Sequence, residues 1–245
     1  MNIYISFLLL FVLNEDISCK ASDFVALGDA RFTPEAVIHQ LSELIRNLIR
    51  SGDVGNGVPV LDPYEFQLKQ VNVTGGMISA NISITNGKMT GLGYFKLHEI
   101  KFSKSEISIE LKINIPYLEF YSEYYELDGH ILDAVPLKGQ GKIYIEIHDI
   151  TLCGKAYLKQ SGDSKAILLD KIEDPHFTVK RFVSQTQFDN NIDGIFNAMI
   201  EDLLADCVNR FNTYIANMYT DTTVQYLNPI LERYDTWRLI AVLLS

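Results

Sequence analysis

Apolar positions along the chain follow three successive spacings. Val37, Ile38, Leu41, Leu44, Ile45, Leu48 and Ile49 recur at steps of three and four, which gathers them on one side of a helix. Thr33 suits its cap, Pro34 its first helical position and Gly52 its stop, so an amphipathic helix is predicted over Pro34 to Arg50. The stretch Gly52 to Gly57 is a connector. Two prolines in Val58-Pro59-Val60-Leu61-Asp62-Pro63 then forbid a helix and predict an extended crossing.

From Phe66 to about Leu169 the period falls to two. Ile107, Ile109, Leu111, Ile113 and Ile115 alternate with Ser108, Glu110, Lys112 and Asn114, and Ile143, Ile145 and Ile147 repeat the pattern. Gly75-Gly76, Asn86-Gly87, Asp128-Gly129, Gly139 to Gly141 and Gly162-Asp163 read as turns, which predicts antiparallel strands joined by hairpins.

The third regime is helical again. From about Asn191 to Met218 a stripe runs through Ile192, Ile195, Phe196, Met199, Leu203, Cys207, Phe211, Ile215 and Met218. A helix of that length is roughly 40 Å long and needs an equally long apolar partner. A strongly curved antiparallel sheet wrapped around it supplies one, so the predicted class is α+β and elongated. Asn228-Pro229 reads as the start of a short last helix, and the apolar tail Trp237 to Leu244 is read as packing onto the body, with contact to a membrane or a partner as the other reading.

The first residues read as an address. Ile3 to Leu13 is an apolar run too short to span a bilayer, Glu15 and Asp16 follow it, and Cys19-Lys20-Ala21 offers a cleavage site. The expected division is therefore a signal peptide over 1–21 and a single secreted domain over 22–245. Cys153 and Cys207 then remain, the count for one disulfide, although two separate buried thiols fit as well. The sequons Asn72-Val73-Thr74 and Asn81-Ile82-Ser83 suit the same compartment and mark Asn72 and Asn81 for glycosylation.

Composition narrows the function classes. With 47% apolar and 21% charged residues the chain has a globular make-up. Its 31 acidic against 21 basic residues give a net charge of -10, without a cationic run, which disfavours nucleic acid and anionic membranes as partners. No stretch suits stable membrane insertion. The histidines His39, His98, His130, His148 and His176 are scattered, so no local metal motif is expected, and no cofactor. No Gly-x-Ser-x-Gly elbow occurs, and Gly87-Lys88 lacks the flanking residues of a phosphate loop. Gly91-Leu92-Gly93 lies in strand-like sequence and reads as a bend. Catalysis is not expected.

The distinctive feature is aromatic: Tyr117, Phe120, Tyr121, Tyr124 and Tyr125 crowd one segment. The surrounding stretch, Pro116 to Gly141, reads PYLEFYSEYYELDGHILDAVPLKGQG and resembles the signature of the insect takeout and haemolymph juvenile-hormone-binding protein family in Pro116, Tyr125, Gly129, Pro136, Gly139 and Gly141. VPVLDP at Val58 to Pro63 and Phe188-Asp189-Asn190-Asn191 before the helix are similar to the same family.

That resemblance implies an elongated tubular lipid-binding fold, in which a long C-terminal helix lies inside a curved sheet and an apolar ligand is enclosed. It also implies a Cys153 to Cys207 bridge. One departure is the lack of a cysteine pair at the first helix, since none lies between Cys19 and Cys153. The expected function is a secreted carrier of a juvenile-hormone-like terpenoid, a fatty acid or another long-chain lipid in extracellular fluid. The other reading is a structural or signalling protein of the same fold with no ligand. Helix face and strand alternation nominate Leu41, Leu44, Phe120, Tyr124, Phe196, Met199 and Leu203 as the cavity wall.

Overall fold

The computed structural model of the protein describes residues 34–75, 78–131, 135–238 and 241. The expected signal segment, 1–21, and most of the apolar tail lie outside these residues. Helix α1 (Pro34–Ser51) forms where the apolar periodicity placed it and is followed by a short 3-10 turn at Val54–Asn56. Six strands follow: β1 (Tyr64–Gly75), β2 (Ile78–Thr90), β3 (Lys96–Ser103), β4 (Ser108–Ile131), β5 (Val135–Gln160) and β6 (Ile167–Ser184). They make one antiparallel sheet in the order β1-β2-β4-β5-β6, with β3 pairing the first part of β4 beyond the end of β2. The chain closes with helical segments α2 (Asp193–Met199), α3 (Ala205–Arg210) and α4 (Asn212–Leu231).

Strands β4 and β5 are far longer than the expected hairpins because three of the five turn signals are not turns. Asn86-Gly87, Asp128-Gly129 and Gly139 to Gly141 lie inside β2, β4 and β5. There the glycines serve close approach: a Cβ on Gly87 would sit 1.9 Å from the Phe66 ring, and one on Gly139 would sit 2.5 Å from the Phe188 ring.

The helices pack on one face of the sheet. Ile115, Leu118, Ile147, Ile150, Phe177, Val179 and Phe182 meet Ala205, Val208 and Ile215 in the main core. A second cluster, Val71, Ile82, Ile84, Tyr125 and Ile143, fills the sheet toward its β1 end. The face carrying these residues is called inner below. Its parity along the strands is not constant. Ile115 and Leu118 of β4 are both buried, as are their partners Ile150 and Ile147, so both strands change sides between them, where Asp149 takes a φ of +51°. A β-bulge between Ser122 and Tyr125 changes β4 a second time.

The expected single helix is interrupted. A π-helical turn at Ile200–Leu204 separates α2 from α3, and Phe211, at φ -107°, separates α3 from α4. The stripe that packs on the core is Ile200, Leu204, Val208, Phe211 and Ile215, with Val208 and Ile215 buried and the rest half-buried; its first part is one position away from the one expected through Met199, Leu203 and Cys207. Asn228-Pro229 does not begin a new helix: α4 continues to Leu231 with Pro229 in its last turn.

Asn228 acts on the sheet instead. Its amide accepts from Leu169 N–H and donates to Leu169 C=O, both at 2.8 Å. Asn209 does the same to Val179 at 2.7 Å and 2.7 Å, and Asn197 to Thr186 at 2.8 Å and 3.0 Å. Strand β6 is an edge, and Asn228 and Asn209 satisfy backbone groups that a seventh strand would otherwise pair, while Asn197 does so for Thr186 just past the end of β6.

Candidate functional site

Helix α1 roofs an apolar cavity at the β3 end of the sheet. Two buried interactions hold it there. Leu61 and Asp62 donate their N–H groups to the Ile49 carbonyl, at 2.8 and 2.9 Å, which turns the chain back beneath the helix. The buried Asp62 carboxylate then accepts from Gly91 N–H at 3.0 Å and Gly93 N–H at 2.7 Å. The Gly91-Leu92-Gly93 segment is thus a short 3-10 turn closing on an internal carboxylate. Arg46 of α1 donates to the Phe95 carbonyl at 3.0 Å, pairs with Glu43 and lies over the Phe95 ring.

The cavity enclosed in this way measures about 350 Å³. Ile38, Leu41, Leu44, Ile45, Leu48 and Ile49 line it from α1, and Leu92, Phe95 and Leu97 from the turn that Asp62 fixes. Alternating residues of β4 and β5, among them Ile109, Leu111, Ile113, Leu152 and Leu158, form the floor, with Ile167, Leu168 and Leu169 of β6. The far wall is Ile230, Leu231, Tyr234 and Thr236.

No charged side chain lines this space, and its three polar side chains are engaged elsewhere. Ser42 Oγ donates to the His39 carbonyl at 2.7 Å. Thr236 Oγ1 accepts from Ile167 N–H at 3.0 Å. Tyr234 OH donates to Asp53 Oδ2 at 3.1 Å, and burial, together with that carboxylate, pushes its phenol up to about 12. The lining therefore offers apolar contact and no titrating group near neutral pH.

Of the seven expected wall residues, the structure brings only Leu41 and Leu44 to this cavity. Phe120 faces inward between the two core clusters. Tyr124 is 45% exposed, because the bulge after Ser122 gives the inner face to Tyr125 and turns its neighbour outward, where it donates to Gln140. Phe196 stacks on Phe188 with ring centroids 4.3 Å apart. Met199 and Leu203 are 54% and 59% exposed, since the π-helical turn and the sheet claim Ile200 and Leu204 instead. The β3, β6 and α4 contributions were missed. The β4 row was missed as wall too, although the alternation in Ile109 to Ile115 was its signal and does point that row into the cavity.

The expected disulfide is not formed in the structure. Cys153 and Cys207 are both free thiols. Cys153 stands in register with Lys112 and His176 while its neighbour Leu152 faces Phe177 of the helix-bearing core. Strand alternation thus points Cys153 away from the face on which α3 packs. It borders an outer, charged hollow with Glu99, Lys101 and Lys155.

Asn72 and Asn81 are directly opposed in β1 and β2, and both are exposed. No helix among the described residues is long and apolar enough to cross a membrane. No group of three or more metal-ligating side chains occurs among them.

The family signature has a structural reading as well. Tyr125 OH donates to the Gln187 carbonyl, and Gly139 and Gly141 receive Phe188 and Gln187 as the chain leaves β6 for α2. The model of the haemolymph juvenile hormone binding protein (JHBP) family matches residues 17–241. The chain belongs to that family. Among solved structures this JHBP-family chain is similar to Epiphyas postvittana Takeout 1, at 15% identity over 83% of this chain and 90% of that one, with a TM-score of 0.47. It is also similar to lipopolysaccharide binding protein, at 12% identity over 80% of this chain and 39% of that one, with a TM-score of 0.38. No curated protein sequence matches it.

Proposed function

We propose that this protein is a secreted carrier that holds an uncharged apolar molecule, a terpenoid or the body of a long-chain lipid, beneath α1, and that it performs no chemistry on it. In this reading the sheet curls about the helices as an elongated tube. The observation that carries the proposal is a cavity of about 350 Å³ whose every polar side chain is already engaged. Enclosing about 300 Å² of apolar ligand surface contributes on the order of 8 kcal/mol before association costs, enough for useful affinity without a charged anchor. A free carboxylate has no partner in the lining and is left at the open side or excluded. Membership of a hormone-binding family supports the same reading. Secretion with glycans on Asn72 and Asn81 belongs to the proposal, and both side chains are exposed as that modification requires.

The second reading, a protein of this fold without a ligand, draws on the cluster around Ile84 and Tyr125, which fills the sheet's other end with its own side chains. Uptake of a neutral fluorescent long-chain ester by the purified protein separates the two. Leu44→Trp should fill the cavity and abolish uptake while lowering the melting temperature little, because a void accepts volume that a packed core does not. No ester uptake by wild type, with no bound mass in native mass spectrometry, would favour the ligand-free reading.

A further inference from the structure

Between Phe182 and Asn209 the chain carries five acidic residues, Asp189, Asp193, Glu201, Asp202 and Asp206, and no lysine, arginine or histidine. Several acids of the sheet are matched across strands, as in Lys88–Glu65, Lys112–Glu99, Lys138–Asp128 and Lys159–Asp170. In the helical stretch Asp193 accepts from three backbone N–H groups and Glu201 from Ser184 N–H. Asp202 and Asp206 are exposed and form no ion pair with any described residue.

The same stretch is amphipathic twice over. Its inner side packs Ile200, Leu204 and Val208 into the core. On its outer side Ile195, Met199 and Leu203 follow at steps of four and stay exposed, Ile195 at 64%. Asp202 and Asp206 are adjacent to that row in the helical net and form a parallel acidic pair, with Arg210 at the next position where α3 ends. An exposed apolar row flanked by a local excess of one charge marks an interaction surface.

We infer that the outer side of α2, the π-helical turn and α3 docks a protein partner presenting an apolar ridge flanked by lysine or arginine. A second copy of this chain would set acid against acid, and an anionic bilayer would do the same. The surface is separate from the cavity, so carriage and docking can occur together.

The test uses the whole secreted protein and a synthetic amphipathic helical peptide with leucine on one face and lysine on its flanks. A scrambled isomer of identical composition is the control. Wild type should bind the ordered peptide about tenfold more tightly than the isomer, with affinity falling as salt rises. Met199→Glu with Leu203→Glu should erase the preference, and Asp202→Asn with Asp206→Asn should weaken binding and flatten its salt dependence. Both double variants alter exposed positions and should retain the wild-type circular dichroism spectrum and ester uptake. Equal binding of the two peptides, or a preference untouched by the Met199 and Leu203 changes, overturns the proposal. Flotation of wild type, but not the glutamate variant, with neutral phosphatidylcholine vesicles would overturn it in favour of a lipid surface.

Discussion

The Tyr125 hydroxyl donates a 2.7 Å hydrogen bond to the main-chain carbonyl of Gln187, tying β4 just past its bulge to the residue where the chain leaves the sheet. Burial, and then the charge of Asp193, raises the Tyr125 phenol well above its ordinary range, so it is a permanent donor. Gln187 answers with its own groups: its N–H donates to the Lys142 carbonyl and its side-chain oxygen accepts from Lys142 N–H. The strand-to-helix reversal is therefore fixed at one point from two strands.

Removing the hydroxyl should be measurable and modest. Tyr125→Phe leaves the buried ring in place and orphans one carbonyl, a loss of about 1 kcal/mol, or roughly 2 to 4 °C in a thermal melt of a domain this size. Gly139→Ala should cost more, because Phe188 is held between that glycine and Phe196 and cannot move aside. A melt in which both variants match wild type would show that the reversal is held elsewhere.

Asn209 tests how the open edge of β6 is protected. Asn209→Ala removes the partners of both Val179 N–H and Val179 C=O, for an expected loss of about 1 to 3 kcal/mol by denaturant titration. Asn209→Asp keeps an acceptor for the N–H but sets a carboxylate against the carbonyl, so it should fail to restore stability. Full restoration by aspartate would mean that only the acceptor matters.

Cysteine chemistry gives a direct reading. Cys153 and Cys207 should each take up iodoacetamide in the denatured protein without reductant, and peptide mapping should find no peptide linking the two. Recovery of a Cys153–Cys207 linked peptide would show that β5 presents its other face to the helix.

Asp193 predicts a limb of acid sensitivity. Its carboxylate accepts from the N–H groups of Phe188, Asp189 and Asn190, which holds its pKa below the usual aspartate value of 3.8. A pKa depressed in the folded state means the unfolded chain binds the proton more readily. The stabilisation is therefore complete above the ordinary aspartate range and is lost as pH falls through the folded value. Urea midpoints of wild type and Asp193→Asn should differ at neutral pH and converge below pH 3.8. Curves that stay parallel throughout would assign the difference to packing.

The sequence by itself determined the elements whose local period carries their identity. α1 lies where the steps of three and four place it, because that period and its flanking signals are local properties. The alternation of Ile109, Leu111 and Ile113 likewise marked a face that does line the cavity. The family was legible in Tyr125, Gly139 and Gly141, residues that only the fold shows gripping Gln187 and Phe188. What tertiary structure alone decided is which side of each element is inside. A period of two is unchanged by a bulge or kink, yet each one inverts the side that later residues face, so Tyr124 and Tyr125 exchanged roles. Leu203 and Leu204 were equally good stripe members by sequence, and contact with β6 and the π-helical turn chose between them. Asn209 and Asn228 gave no pattern at all, because their partners are backbone groups of a strand distant in the chain, and backbone positions leave no mark on composition or period.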